Sequence, residues 1–566
     1  MTRSRAALGA IPYALWLLLF FAAPLVTVLL LSLQDDPSPF APISLALSAV
    51  NYSEILGDAF LLRTLGHTLL LGAVVTAIAV LLAYPVALWL TRLSPRWRPW
   101  GFALVLVPLL TNVVVRSLGV ILLLSPTGVI AGTVQALGFP RPDLLFGWFG
   151  VGLSLCQVFL PYMVLSLYDV LEAQEARLQE AAEGLGAGPA LRFLRVTLPL
   201  SLPGLRAGLV VVFLLASTAY VSATLVGGRK VWVTGMVIYR EGLEILNSPL
   251  AAALAVLMLL ASILVTILIG RAVSAAMPWA ARRPPRLRLS LPPAARRLLV
   301  PLAEAVGPWL GRLLLVIAVL LLVFPLLLVM VASVNDTPQA SVAGFYGFTW
   351  KWYARIAEST RYLLDAWTSA QLALATVIVS LTLSLPAAFA LVRGRFPGRE
   401  ALGAGFMLPL ALPGIAVGLG MLKLLHWFGA LPPFLGILGV HVVLVAPFTL
   451  ALLRASVAGL DVAQEEAAAG LGASPARVFR RVILPQLAPG LAVAGILGFL
   501  ISFGEVTVTA FLTNARMQTL PVRIYAEASF SLENTVNAIS TLTILLTVAL
   551  LLLVNRFVRL DRAWRR

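Results

Sequence analysis

The stretch "EAAEGLGAGPALRFLRVTLPLSLPGL" (Glu180–Leu205) returns later in the chain as "EAAAGLGASPARVFRRVILPQLAPGL" (Glu466–Leu491). The two copies lie 286 positions apart and agree at 17 of 26 residues. Both are rich in Glu, Arg, Gly and Pro, although 60% of the whole chain is hydrophobic. A match of this density indicates an internal repeat, and its charged residues place both copies outside the lipid.

The rest of the chain is far more apolar than a soluble protein. Only 11% of its 566 residues are charged, whereas a soluble domain has about 25%. Apolar runs near or above 20 residues recur, and each can cross a bilayer core of about 30 Å. We therefore predict an all-α polytopic membrane protein with about twelve transmembrane helices, near 11–33, 64–91, 101–124, 149–171, 204–226, 249–275, 309–333, 366–392, 401–426, 434–458, 488–512 and 535–557.

Charge predicts the orientation of these spans. If the N-terminus is cytoplasmic and the spans alternate, the inside segments collect the basic clusters at 92–98, 282–288, 393–399 and 556–566. Lys and Arg accumulate on the cytoplasmic side of inserted helices. Both termini and both repeated stretches are then inside. The net charge of +17 is interpreted as orientation and contact with anionic membrane lipid, and not as nucleic-acid binding.

The segment "AARRPPRLRLSLPPAARR" (280–297) is rich in Pro and Arg and has no apolar period, which is typical of a linker. We predict a first half at 1–276, a cytoplasmic linker at 277–308 and a second half at 309–566. Six spans in each half keep the halves in the same orientation, so they form two parallel six-helix repeats.

Each repeated stretch begins with strong helix formers that stop at glycine, which accepts the left-handed conformation that ends helices. We expect a short helix, a sharp turn and a second short basic helix. Pro199 and Pro485 should then redirect the chain into the next span, because proline disrupts a helix interior. The loops extend over about 172–200 and 459–486. Each forms a compact surface knob that carries a glutamate.

At these residues the chain resembles the membrane subunits of ABC importers, whose hallmark is an EAA loop of the form E-A-A-x-x-x-G followed by I-x-L-P. Val replaces the Ile in both copies here. The resemblance implies that each loop docks in a cleft of one of two separate ATPase subunits. Matched to the motif are Glu180, Ala181, Ala182, Gly186 and Pro199, and again Glu466, Ala467, Ala468, Gly472 and Pro485.

The sequence contains no sign of an enzyme. A P-loop needs Gly-Lys followed by Ser or Thr, and none of the three lysines follows a glycine. One cysteine, Cys156, and three histidines offer neither a disulfide nor a plausible zinc site. We predict a transport subunit without cofactor or metal, and interpret Cys156 and the histidines His67, His426 and His441 as packing or interface residues.

Candidates for the translocation path are polar residues within spans, since a charge at mid-membrane costs about 2.5–3.5 kcal/mol on insertion scales. Arg116 and Glu505 are the charges hardest to explain otherwise. They line the cavity, or they pair with each other or with backbone. Glu505 has Ala219 as its counterpart in the first half, and the adjacent Tyr220 is the third candidate.

The segments "TNVVVRSLG" and "SFGEVTVTAFLT" make the two halves resemble the first and second permeases of spermidine/putrescine-type importers, a subfamily that includes opine and phosphonate importers. The resemblance implies a bacterial inner-membrane permease served by a solute-binding protein, with a polyamine-like solute. Fused permeases also occur among thiamine and ferric-iron importers, so those solutes, and phosphonates, stay as alternatives. A secondary transporter is a more distant alternative, but it would not need two cytoplasmic knobs that carry a glutamate. Failure to co-purify with any ATPase would favour a purely structural or assembly membrane protein.

Overall fold

In a computed structural model the chain is described at residues 8–36, 46–174, 176–228, 230–276, 293–337, 344–411, 414–428, 433–514, 517–530 and 533–557. These residues form helices, joined by turns and two isolated antiparallel bridges, Asn335 with Phe348 and Asn514 with Met517. Residues 277–292 of the predicted linker and the basic tail from 558 lie outside the described residues.

Helices of the first half follow the predicted spans, with short helices added between them. In chain order they are α1 Ile11–Leu31, α2 Val50–Gly57, α3 Ala59–Arg92, α4 Arg98–Leu110, α5 Val113–Leu124, α6 Val129–Ala136, α7 Trp148–Glu172, α8 Ala176–Gly184, α9 Pro189–Thr218, α10 Val221–Gly227, α11 Thr234–Tyr239 and α12 Ser248–Ala276.

The second half repeats this order. Its helices are α13 Pro293–Ser333, α14 Lys351–Glu358, α15 Thr360–Arg393, α16 Arg399–Gly405, α17 Gly414–Phe428, α18 Pro433–Ala458, α19 Val462–Gly470, α20 Pro475–Phe503, α21 Thr509–Leu512, α22 Leu520–Phe530 and α23 Asn534–Phe557.

The described helices confirm the predicted all-α polytopic membrane fold. Eleven helical segments, one of them formed by α5 and α6 together as Val113–Ala136, are long and apolar enough to cross a membrane, and the count is twelve if one bent pair forms a single span. That pair, Arg399–Leu410 with Gly414–Trp427, bends by 89°. The third span, predicted as continuous over 101–124, is likewise broken between α4 and α5 at Thr111 and Asn112. Both breaks fall at equivalent positions of the repeat, where polar or proline residues interrupt the apolar run.

The first span of each half packs against the opposite half. Gly119 of α5 lies so close to the carbonyl group of Pro325 in α13 that a Cβ atom would clash with it. Gly420 of α17 meets the carbonyl group of Pro24 in α1 in the same way. The two contacts are equivalent in the repeat, because Gly420 lies 301 positions after Gly119 and Pro325 lies 301 positions after Pro24. The two halves are thus interlocked through equivalent glycine contacts.

The connection after each first span also repeats at atomic level. Ser32 and Tyr52 share a hydrogen bond of 2.7 Å between their hydroxyl oxygens. Ser333 and Tyr353, 301 positions further on, share one of 2.8 Å. This correspondence shows that the repeat continues beyond the conspicuous stretch that revealed it.

The helix α13 begins at Pro293, well before the predicted span start at 309. Residues 293–308 of the predicted linker therefore form its first turns. Ala, Leu and Arg dominate this part of the chain and are strong helix formers. The extension carries Glu304 to the first repeated loop, where it contacts the backbone of α9.

Candidate coupling loops and translocation path

The two repeated loops have the same local geometry. Two residues beyond the ends of α8 and α19 stand glycines with positive φ, 78° at Gly186 and 80° at Gly472. Ala187 N donates to Ala182 O at 3.0 Å, and Ala473 N donates to Ala468 O at 3.1 Å. This six-residue closure around a left-handed glycine is the Schellman motif, which ends helices. The repeated glycine therefore sets the sharp turn that the sequence predicts.

The second part of each loop differs from the prediction. Pro199 and Pro485 do not redirect the chain, because the basic segment continues directly into the next span as one helix, α9 or α20. A π-helical turn precedes each proline, at Phe193–Thr197 and at Phe479–Ile483. Such a turn shifts the hydrogen-bond pattern by one residue and so accommodates proline within a continuous helix. The second part of each loop and the following span therefore belong to one helix.

Acidic and apolar side chains are exposed at equivalent places on the loops. Glu180 and Glu466 are exposed, and none of the ion pairs found among the described residues includes either of them. Leu185 and Leu471, at the turns, are 89% and 90% exposed. Sequence reasoning overlooked these leucines. Their signal was their identity in both copies, at a turn where an apolar residue has no packing role.

Ion pairs lie at the loop-side ends of the spans, at a different place in each half. Arg393 at the end of α15 forms two hydrogen bonds, of 2.7 and 2.6 Å, with the carboxylate of Glu465. In the first half Arg98 pairs with Glu172 at 2.7 Å, at the last residue of α7, where the loop begins. Arg–carboxylate pairs with two parallel bonds fix orientation as well as distance.

An open cavity of about 1300 Å³ lies between the two halves on the side opposite the loops. The first half contributes Trp232, Tyr239, Arg240 and Glu244, among others, and the second half contributes residues of α14, α21 and α22. Further lining residues are Trp352, Arg355, Ala510, Thr513, Tyr525 and Glu533. Aromatic faces and carboxylates therefore share one water-accessible space.

The basic groups of this cavity already have partners. Arg355 lies 3.6 Å from the carboxylate of Glu533, and Arg240 is stacked over the Trp232 ring at 5.7 Å. Glu244 is exposed, and no ion pair of the described chain includes it. Glu241, three residues earlier in the chain, is not among the residues that line the cavity. Burial raises its pKa, the guanidinium of Arg240 lowers it, and the carboxylate of Glu54 raises it further.

An aromatic cluster adjoins the cavity where the halves meet. The Tyr220 ring stacks on Tyr239 with 5.3 Å between centroids, and meets Phe511 and Tyr525 of the other half edge-on at 6.4 and 6.3 Å. Its hydroxyl donates to Thr507 O at 3.4 Å. Tyr220 is 1% exposed. The predicted path residue therefore lies within a closed contact between the halves.

Arg116 and Glu505, the two charged candidates for the translocation path, have separate hydrogen-bond partners. Arg116 is 6% exposed and donates to Val158 O, in its own half, at 3.0 Å. Glu505 accepts hydrogen bonds from the backbone N–H groups of Val508 and Thr509, both at 3.0 Å. No described ion pair joins the two. Neither residue, nor Tyr220, is among those that line the cavity.

Comparison with known proteins connects this architecture to a family. The family model described as "Binding-protein-dependent transport system inner membrane component" matches twice, at residues 83–277 and 380–565. Together the matches cover about two thirds of the chain.

The curated relatives are each about half as long as this chain. The spermidine/putrescine transport system permease protein PotB of Haemophilus influenzae is 32% identical over 244 residues, which cover 43% of this chain and 84% of the relative. PotB of Escherichia coli K12 is 32% identical, with coverages of 45% and 90%. PotC of the same organism is 30% identical, with coverages of 41% and 87%.

Solved structures include a bacterial ABC transporter involved in the import of the acidic polysaccharide alginate, at 18% identity and a TM-score of 0.40, covering 46% of this chain and 92% of that one.

Two matches of one family model, placed on two halves with matching helices and loops, agree with the predicted fusion of two permease halves and with a transport subunit rather than an enzyme. The chain belongs to the binding-protein-dependent transport system inner membrane components, the permeases of ABC importers, and carries two permease halves in one polypeptide.

Proposed function

We propose that this permease docks one ATPase subunit at each of its two loops and conducts a polyamine-like cation delivered by a solute-binding protein. The proposed docking of the ATPase subunits rests on one observation, which is that the two loops have the same geometry. Each offers an exposed glutamate and an exposed leucine beside a glycine turn, and each continues into a membrane-spanning helix. ATPase closure then moves both spans, which is the rigid-body motion that alternating access requires.

This arrangement assigns the ATPase-coupling role to the residues of the EAA motif. Glu180 and Glu466 are the proposed polar contacts, and Leu185 and Leu471 the proposed apolar contacts with the ATPase clefts. The loops and both termini are then cytoplasmic, in a bacterial inner membrane, and the cavity opens outward to the binding protein. The predicted bias of Lys and Arg to the loop side supports this orientation.

The proposed solute follows from the chemistry of the cavity. Aromatic faces of Trp232, Tyr239, Trp352 and Tyr525 attract organic cations, and an exposed carboxylate at Glu244 offsets the cost of removing an ammonium group from water. The two arginines of the cavity already have partners, Arg355 in the Glu533 carboxylate and Arg240 in the Trp232 ring. The names of the relatives, spermidine/putrescine permeases, agree with this chemistry. We propose that the solute passes from the cavity along Tyr220 between the halves.

Uptake by the assembled importer in proteoliposomes tests the solute. Glu244→Gln removes the free carboxylate and should raise KM about fivefold for a triamine such as spermidine, and less for the diamine putrescine, since an exposed charge pair contributes up to about 1 kcal/mol. Glu358→Gln, at an exposed glutamate outside the cavity lining, is the control and should leave KM unchanged. Absence of polyamine uptake by the unaltered importer would contradict the proposal and favour thiamine, ferric iron or a phosphonate.

A further inference from the structure

Four polar side chains of the second half form one continuous hydrogen-bonded chain. The Ser502 hydroxyl and His441 Nδ1 are 2.8 Å apart, and His441 Nε2 and Thr509 Oγ1 are also 2.8 Å apart. Thr509 Oγ1 donates to the Glu505 carboxylate at 2.5 Å. His441, Ser502 and Thr509 are 1%, 4% and 0% exposed. Buried polar groups of this kind are stable only when they satisfy one another.

The first half has no equivalent of this chain. At positions 286 residues earlier stand Leu155 for His441, Ala216 for Ser502, Ala219 for Glu505 and Ala223 for Thr509. All four replacements are apolar, while the flanking Pro161 and Pro447 keep the same register. The four polar residues therefore occur together in one half and are absent together from the other.

The hydrogen-bond directions assign the protons. Because the single hydroxyl proton of Thr509 goes to Glu505, its oxygen accepts from His441 Nε2–H, and His441 Nδ1 then accepts from Ser502. Glu505 also accepts from the N–H groups of Val508 and Thr509. The Glu505 carboxylate therefore accepts hydrogen bonds from three donors of its own segment. This leaves it little capacity to accept hydrogen bonds from a solute.

The chain of bonds joins three helices at the wall of the cavity. His441 belongs to α18, Ser502 to α20 and Thr509 to α21, whose Ala510 and following Thr513 line the cavity. α21 also carries Phe511 into the aromatic contact with Tyr220 and Tyr239. A helix of four residues has little stability of its own. Its position depends on what ties it to its neighbours.

We propose that Ser502, His441, Thr509 and Glu505 form an internal latch that holds the second-half wall of the cavity, so that the wall of the first half is the one that yields when the halves rock. In the first half α10 occupies the equivalent place. It carries Ala223 and follows Ala219, and one buried hydrogen bond of 3.0 Å, from Ser117 to Ser222, ties it to α5 in place of the three bonds of the second half. Glu505 and His441 are then positioning residues for transport. Glu505 is not the solute ligand that its sequence position alone favours.

The coupling of ATP hydrolysis to uptake tests the latch in the complete importer. Thr509→Val breaks the chain at its centre, and His441→Leu introduces the residue of the first half. Each variant removes two of the three bonds, so both should raise ATPase activity without the binding protein about thirtyfold, the equivalent of two hydrogen bonds of about 1 kcal/mol each, and lower uptake per ATP with KM unchanged. Thr376→Val is the matched control, since the Thr376 hydroxyl is buried and has no hydrogen-bond partner among the described residues.

Rescue separates a latch from a general folding defect. Thr509→Ser keeps the hydroxyl and should restore normal coupling, whereas Ser502→Ala removes only the outermost bond and should have an intermediate effect. A raised KM with normal coupling in Thr509→Val would overturn the proposal in favour of a solute-binding role, and so would a Thr509→Ser variant as uncoupled as Thr509→Val. ATPase activity without binding protein needs no solute, so this test is independent of the polyamine assignment.

Discussion

Arg116 and Glu505 are charged residues within the predicted spans, and a separate set of contacts explains each of them. Each is satisfied within its own half, Arg116 by the Val158 carbonyl and Glu505 by its own segment. Arg116→Gln should lower the free energy of unfolding by about 1–3 kcal/mol, because it removes a charge-assisted hydrogen bond at a buried site.

The pair itself should show no energetic coupling. Thermal unfolding of Arg116→Gln, Glu505→Gln and the double variant in detergent should give additive losses, within about 0.5 kcal/mol. The prediction fails if the double variant recovers stability lost by either single variant, since that recovery is what an ion pair across the halves would produce.

Among the elements, the two coupling loops differ in how they are held. The Glu304 carboxylate of α13 accepts hydrogen bonds from Ala190 N and Leu191 N, both at 2.9 Å, at the start of α9. α20 begins after Ser474 without any side-chain cap. The first loop is therefore tied to a helix that belongs, by sequence, to the second half, whereas no side chain of the described residues caps the second loop in this way.

Glu304→Ala should release the first loop alone. We expect hydrogen exchange at the Ala190 and Leu191 amides to rise about tenfold, as the loss of one or two charge-assisted bonds implies, with no change at Ala476 and Arg477. Glu400→Gln, at an exposed glutamate on α16, is the control. Equal changes in both loops would contradict this prediction, because Glu304 would then stabilise the whole loop side of the protein and not the first loop alone.

For the whole molecule, one polypeptide with two equivalent loops should hold two copies of the same ATPase. Cysteines placed at Ala187 and Ala473 should crosslink to the same cleft of each copy. Changing both Glu180 and Glu466 to Ala should release the ATPases during purification, while the permease stays inserted, because both residues are exposed and support no span. A stoichiometric complex with normal uptake in the double variant would contradict the docking role.

The sequence alone determined the number and type of the spans, the two parallel halves and the glycine turns of the loops. These features depend on local composition or on a period along the chain, and both are readable without coordinates. The alternation of basic and acidic segments likewise predicted an orientation, and the EAA motif predicted the family that the comparisons confirm.

Only the tertiary structure decided which residues meet. The exchange of first spans, the Glu304 cap and the latch through His441 join residues that are far apart in sequence, and no local pattern predicts such contacts. Continuity through Pro199 also needed the structure, because a π-helical turn removes the conflict that proline creates. A buried polar residue is interpretable only with its partner, which is why Glu505 resembled a solute ligand until its three donors were located.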